Sequence, residues 1–315
     1  MRGQIAKVLE REKLRAYRIE DLDRILADVK TDVKMQVVRN DEGSPSSGSS
    51  AVAAMVGLGL GMVLYMFLMI YGAMVMQSVI EEKSSRVLEV VVSSVRPFEL
   101  MMGKIFGVAS VAVVQVLIWA VLVCGAGAAV MPHVLPDGAM EAAAALQQGG
   151  GAATAAAGDF DPETLGAIAL ATDVGYLAML FGYLLLFVVG GYLLYSAMFA
   201  AVGSAVDNAQ DAAQLQTPIM IPIILAVIVE MSVLNDPNSP LAFWFSLIPF
   251  TSPVVMMARI PYGIPTWEIV LSLVLLYAAF VGMVWLSAKI YRVGIFMYGK
   301  KPTLREMFRW IRYKY

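Results

Sequence analysis

The chain has 315 residues, of which 15% are charged and 59% hydrophobic, with 23 Lys plus Arg set against 25 Asp plus Glu. That balance belongs to a membrane protein, and a net charge of −2 gives no electrostatic basis for binding nucleic acid. A single Cys, Cys124, excludes a disulfide framework, and a single His, His133, excludes the His clusters on which most zinc and di-iron chemistry depends, so no metal site is expected. The sequence does not open on a charged n-region followed by a short apolar run and a cleavage site, so no signal peptide is expected.

Residues 1–50 divide into a charge-alternating helical stretch, IAKVLEREKLRAYRIEDLDRILADV, and a polar linker, NDEGSPSSGSS. The first is too polar to span a bilayer and the second too rich in Ser and Gly to pack. Five apolar runs then reach the roughly 20 residues a spanning helix needs. They cover Ala51 to Met76, Met101 to Met131, Val174 to Val206, Leu215 to Leu234 and Trp267 to Ile290. The fold class expected is all-α, a polytopic helical membrane protein, because amides in lipid must be satisfied within their own segment and no strand-like alternation occurs.

Between the first two runs lies the charged stretch IEEKSSRVLEVVVSSVRPFELMMGK, residues 80–104. With a break near Gln77 and Ser78, Val79 to Val95 reads as an amphipathic helix. Ile80, Ser84, Val87, Val91 and Val95 share one face; Glu81, Glu82, Lys83, Arg86 and Glu89 share the other. Glu82 and Arg86 form an i, i+4 pair. Pro97 suits the first turn of the second span, with Glu99 near its positive end. A surface helix along the membrane follows, its charged face either merely solvated or open to a soluble partner.

The 132–173 loop contains no Lys or Arg, and its MEAAAALQQGGGAATAAAGDFDPETL is low-complexity sequence, read as a loose connector. After the fourth run, NDPNSPLAFWFSLIPFTSPVVMMARIPYGIP mixes prolines with aromatics, as short helices dipping into the interface would, with Trp244, Trp267 and Tyr262 at headgroup level. Arg259 is expected to anchor that interface. Residues 301–315 form a basic tail whose Arg305 to Lys314 would meet anionic headgroups, with Phe308 and Trp310 buried at that level. The 77–104 loop and this tail should face the cytoplasm and the 132–173 loop the outside. Five spans then place residues 1–50 outside; their ten basic residues oppose that placement, although long segments cross regardless of charge.

Tyr71 to Val111, YGAMVMQSVIEEKSSRVLEVVVSSVRPFELMMGKIFGVASV, resembles the signature region of the permease subunits of type-two ABC exporters, particularly the Nat-type, sodium-extruding branch. Leu193 to Ala226, LLYSAMFAAVGSAVDNAQDAAQLQTPIMIPIILA, resembles the second shared block of the same family. The resemblance covers about residues 51–300, the expected permease domain. It implies that the charged segment is a coupling helix docking on a separate nucleotide-binding subunit, with Glu81, Glu82, Lys83, Ser85, Arg86 and Glu89 as docking and gating positions. Asp207, Asn208 and Asp211 would lie at a cytoplasmic turn between the third and fourth spans. It further implies a second permease protomer or homologue, a location in the cytoplasmic membrane, and ATP and Mg bound by the partner subunit. Family members usually begin with a basic stub, a first span and a larger extracytoplasmic domain; residues 1–50 resemble the end of that domain.

The sequence agrees that ATP chemistry lies elsewhere, since neither Gly103-Lys104 nor Gly299-Lys300 sits in a G-x-x-x-x-G-K-[ST] phosphate cradle. No cofactor and no catalytic residue are expected in this chain. Glu230, an acid within a predicted span, is a candidate for a transport pathway, although it lies near the outer end of its helix, where a carboxylate reaches water. Gln115 could line a pathway or bond between helices. Gly57 and Gly61 permit close helix packing, and Pro218 and Pro222 kink the fourth span. A secondary transporter would carry more ionisable groups near the midplane, and an enzyme would need a nucleophile with its base. A non-transporting scaffold or remnant is the alternative of a different kind.

Overall fold

The computed structural model describes residues 50–85, 95–135, 138–147, 162–297 and 303–310. Among these, helix is the only regular structure. The proposed helix and linker of residues 1–49, and Arg86 and Glu89 of the charged segment, lie outside the described residues. The chain divides into a unit of residues 1–42 and a unit of residues 43–315, and the helices below belong to the second.

Among the described residues ten α-helices follow in order: α1 Ser50–Ser84, α2 Pro97–Val134, α3 Ala139–Gln147, α4 Pro162–Thr172, α5 Val174–Ala205, α6 Ala209–Val233, α7 Pro240–Leu247, α8 Ser252–Arg259, α9 Thr266–Gly294 and α10 Leu304–Trp310. Five are long and apolar enough to cross a bilayer: α1, α2, α5, α6 and α9. The protein is therefore a multi-pass membrane protein, all-α as its composition implies.

The starts of these helices are written in short polar signals. Asp173 accepts the amides of Gly175 (2.8 Å) and Tyr176 (3.1 Å) to cap α5, and Asn208 accepts the amide of Asp211 (2.9 Å) to cap α6. Pro97 opens α2, with Glu99 accepting the Arg96 amide at 3.3 Å. Ser239 caps α7, which has Pro240 in its first turn.

α5 is the central helix: nearly every residue from Phe187 onward is buried, and it packs against α1, α9 and α2. Tyrosine hydroxyls satisfy carbonyls across these contacts. Tyr192 donates to Ile105 O (2.9 Å), Tyr195 to Phe250 O (2.6 Å), and Tyr277 to Leu186 O (3.1 Å). Tyr71 donates to Gln115 Oε1, so Gln115 ties α1 to α2 rather than standing free on a helix face. α2 and α9 are the least enclosed spans, and α2 presents Phe106, Val114, Ile118 and Val121 outward, as a lipid-facing helix must.

Several expectations are corrected. α1 does not break at Gln77 and Ser78. Val75, Met76, Val79 and Ile80 are all buried, and neither Gly nor Pro interrupts the segment, so the helix keeps its backbone bonds and its packing to Ser84. The 137–173 connector is not uniformly loose: α3 and α4 pack on one another through Ala139, Ala143, Ile168 and Ala169, small side chains that let two short helices approach. α8 follows the expected short-helix pattern, yet all of it is buried, lodged against α1 and α6.

Arg259 does not anchor the interface. It is buried at 1% exposure, where it donates to Pro237 O (2.8 Å) and Ser246 Oγ (2.6 Å) and pairs with Glu268 Oε2 (2.9 Å), locking the α6–α7 turn, α7, α8 and α9 together. A planar guanidinium supplies donors in three directions, which a buried site demands. Trp310 is buried, as expected, and belongs with Met307 to the main hydrophobic core.

Candidate functional site at the converging ends of three spans

The last turns of α1, α5 and α9 meet at one end of the bundle. The orphan carbonyls there require donors, and a helix C-terminus favours a cation. Lys83, in the last turn of α1, supplies both. Its side chain is fully buried; Nζ donates to Ser204 O on α5 (2.7 Å) and Gly294 O on α9 (2.9 Å), and pairs with Asp207 Oδ1 (3.1 Å) just beyond α5.

The approach is made possible by the absence of two side chains. A Cβ on Gly203 would lie 2.7 Å from Met76 O, and a Cβ on Gly294 would lie 2.9 Å from Ser204 O. A backbone oxygen blocks each position, and at Gly294 the Ser204 hydroxyl, at 2.8 Å, adds a side-chain obstacle.

Lys83 therefore belongs to the interior, not to the charged outer face on which amphipathic spacing put it. The period placed it beside Glu81 and Glu82, whereas the continuous helix turns it between α5 and α9, where ion pairing and three acceptors offset its desolvation. Glu82 meets Lys104 of α2 (2.6 Å), whose Nζ also donates to Ser78 O (3.1 Å). The expected Glu82–Arg86 pair is a matter of residues outside the described set; the described partner of Glu82 is Lys104.

Glu81, Ser84 and Ser85 remain outward and exposed. Ser84 and Ser85 hydroxyls bond back to Glu81 O (3.0 Å) and Glu82 O (3.2 Å), which finishes the helix. Asn208 and Asp211 sit at the start of α6, with Asn208 Nδ2 donating to Asp211 Oδ2 at 3.0 Å. The two groups of predicted residues thus come together through one contact, Lys83 with Asp207. Lys104 was legible only as a positive charge in the loop count, because its partners lie 22 and 26 residues away in sequence.

Glu230 sits apart from this cluster. It does not reach water: it is fully buried, and neither carboxyl oxygen has a hydrogen-bond partner among the described residues. Its side chain occupies the space that Gly61 leaves open, where an added Cβ would lie 2.1 Å from Oε1. One turn earlier, a Cβ on Gly57 would lie 2.4 Å from Ala258 O of α8. The glycine pair on α1 serves packing within the chain.

A bundle of five apolar spans, with a buried cation cross-linking three of their ends beside an exposed polar turn, is the framework of a multi-pass helical membrane protein. The chain belongs to the ABC-2 transporter family: the profile of "ABC-2 family transporter protein" matches residues 3–289. It is 27% identical over 246 residues to the uncharacterized protein YhaP of Bacillus subtilis strain 168, covering 78% of this chain and 52% of that protein. It is also 27% identical over 260 residues to the uncharacterized protein MJ1024 of Methanocaldococcus jannaschii, covering 82% and 54%. The chain thus spans about half the length of the curated relatives it matches. No solved structure matches it.

Proposed function

We propose that the chain is the permease part of an ATP-driven exporter of the Nat-type branch, moving an ion or small molecule outward across the cytoplasmic membrane. A separate nucleotide-binding subunit binds ATP and Mg and docks on the cytoplasmic turn that begins at Glu81. A second permease protomer or homologue completes the pathway. The supporting observation is the Lys83 cluster: a displacement applied at exposed Glu81, Ser84 or Ser85 acts on a helix end tied to α5 and α9 by a buried cation and to α2 by Glu82 and Lys104. Rigid, dry contacts of this kind have discrete arrangements, which a coupling element requires.

Glu230 is the residue we assign to the transport pathway. Its carboxyl group is buried in a membrane helix with no hydrogen-bond partner among the described residues, and an acid so placed marks a path for an ion or proton.

The test is co-purification. The tagged chain is isolated from native membranes in mild detergent, the recovered proteins are identified, and ATP hydrolysis is assayed in the same sample. Glu81→Lys is the informative variant, since Glu81 is exposed, whereas Glu82 is engaged with Lys104. Recovery of an ATPase from the parent and its loss from Glu81→Lys, with the thermal transition unchanged, is the expected result. Intact chain with no ATPase in either sample refutes the exporter reading and leaves a scaffold.

A further inference from the structure

A half-open crevice of about 130 Å³ lies against α5 between α6 and α9, lined by Ala201 and Val202 of α5, Ile219 of α6, Met283 and Ile290 of α9 and Met307 of α10. Its walls are apolar. Close packing normally removes such spaces, and this one lies beside a weakened stretch of a spanning helix. Ile219 stands between Pro218 and Pro222, both inside α6. A proline brings no amide hydrogen, so the carbonyls of Gln214 and Pro218 lose their ladder donors in two successive turns, and the helix bends easily there.

The two halves of α6 are held unequally. Of its buried residues only Ala212 and Leu215 precede Pro218, whereas Ile223, Ala226, Val229, Glu230 and Val233 follow Pro222. Glu230 fills the space that Gly61 leaves on α1, and Pro237 O, just past the helix, accepts from Arg259 of α8 at 2.8 Å. Before Pro218, Thr217 donates to Ala213 O of its own helix at 3.3 Å. α9, on the far side of the crevice, is fixed at its end by the bond from Lys83 to Gly294 O.

We propose that residues 209–217 of α6 swing about Pro218 and Pro222 toward α9, with Ile219 moving into the crevice. The prolines supply the hinge, and the crevice supplies the room and the direction. Over the roughly 14 Å from Ile219 to Gln210, a change of about 20° in the kink displaces the end of the helix by about 5 Å. That end carries Asp211, capped by Asn208, and adjoins Asp207, the carboxylate paired with Lys83. A swing of α6 therefore acts on the contact that joins α1, α5 and α9. The motion belongs to the chain itself and does not depend on an ATPase subunit docking at Glu81.

The experiment uses the full chain in a Cys124→Ala background, reconstituted into lipid nanodiscs and spin-labelled through Gln210→Cys and Arg292→Cys, both at exposed positions. Pulsed electron resonance then reads the distance between them. Two populations about 5 Å apart are expected in the parent. Ala201→Leu, which fills the crevice from α5, should remove the shorter one, and Pro218→Ala with Pro222→Ala should leave one narrow population. Met283→Phe fills the same space from α9 and makes the same test if Ala201→Leu is not monodisperse. A second label pair, Asn235→Cys with Trp267→Cys, reports the opposite ends of α6 and α9 and should give a single distance in every variant. A single narrow distance in the parent, a shorter population that survives filling of the crevice or removal of the prolines, or an equal spread at the second pair would each overturn the proposal.

Discussion

Lys83 shows how a single residue can be assigned correctly by type and wrongly by environment. Its charge belongs to the end of a span, but its position is interior, and removing one member of a buried pair is costly because the remaining groups lose their compensation. Lys83→Met should lower stability by about 3 kcal/mol, read as a fall in Tm in mild detergent. Asp207→Asn should cost less, since that carboxylate is 32% exposed. The double variant should then recover about 1 to 2 kcal/mol relative to the sum of the single changes. Arg259→Lys should fail to restore what Arg259→Leu loses, because an ammonium cannot serve Pro237 O, Ser246 Oγ and Glu268 Oε2 from one planar fork.

The two glycines of α1 separate side-chain from backbone obstruction. Gly61→Ala collides with a carboxyl group and should cost about 1 to 3 kcal/mol, most of which Glu230→Ala relieves by vacating the space. Gly57→Ala collides with a main-chain oxygen, so no partner substitution should rescue it. Comparison of the two double-variant cycles by thermal unfolding checks both statements.

At the level of the element, the continuity of α1 to Ser84 has a direct chemical readout. In a Cys124→Ala background, single cysteines introduced from residue 78 to residue 85 should react with a polar maleimide at positions 81, 84 and 85, while positions 79, 80 and 83 remain protected. A surface helix beginning after a break at Gln77 would instead expose position 83 together with 81 and 82. The spacing rule was sound but was applied to the wrong reference. Ile80 and Ser84 share a face on any helix, yet which face counts as interior depends on the neighbours. Here α5 and α9 cover the side that carries Lys83.

For the whole molecule, the absence of Lys and Arg from residues 132–173 and their abundance beyond residue 288 predict an orientation with the Lys83 end inward. Cysteines at Ser84 and at Asp236 should therefore label from opposite sides of intact cells, with Asp236 reactive from outside and Ser84 reactive only after permeabilisation. Reversed reactivity would overturn the orientation and with it the cytoplasmic docking surface.

The sequence alone determined the helical membrane class, the five spans within a few residues except where α1 and α6 run further, the start of the second span at Pro97, and the likeness to ABC-2 transporters. Each of these follows from local composition, apolar run length or a short polar signal, and such signals act over a turn or a bilayer thickness. The fate of the ionisable groups was decided by tertiary structure. Lys83 finds acceptors 121 and 211 residues away, and Arg259 and Glu230 are enclosed by helices that no local pattern brings to them. A charge is stable at depth only where partners converge, and convergence across helices is set by packing, chiefly by glycines whose missing side chains are silent until the neighbouring backbone arrives.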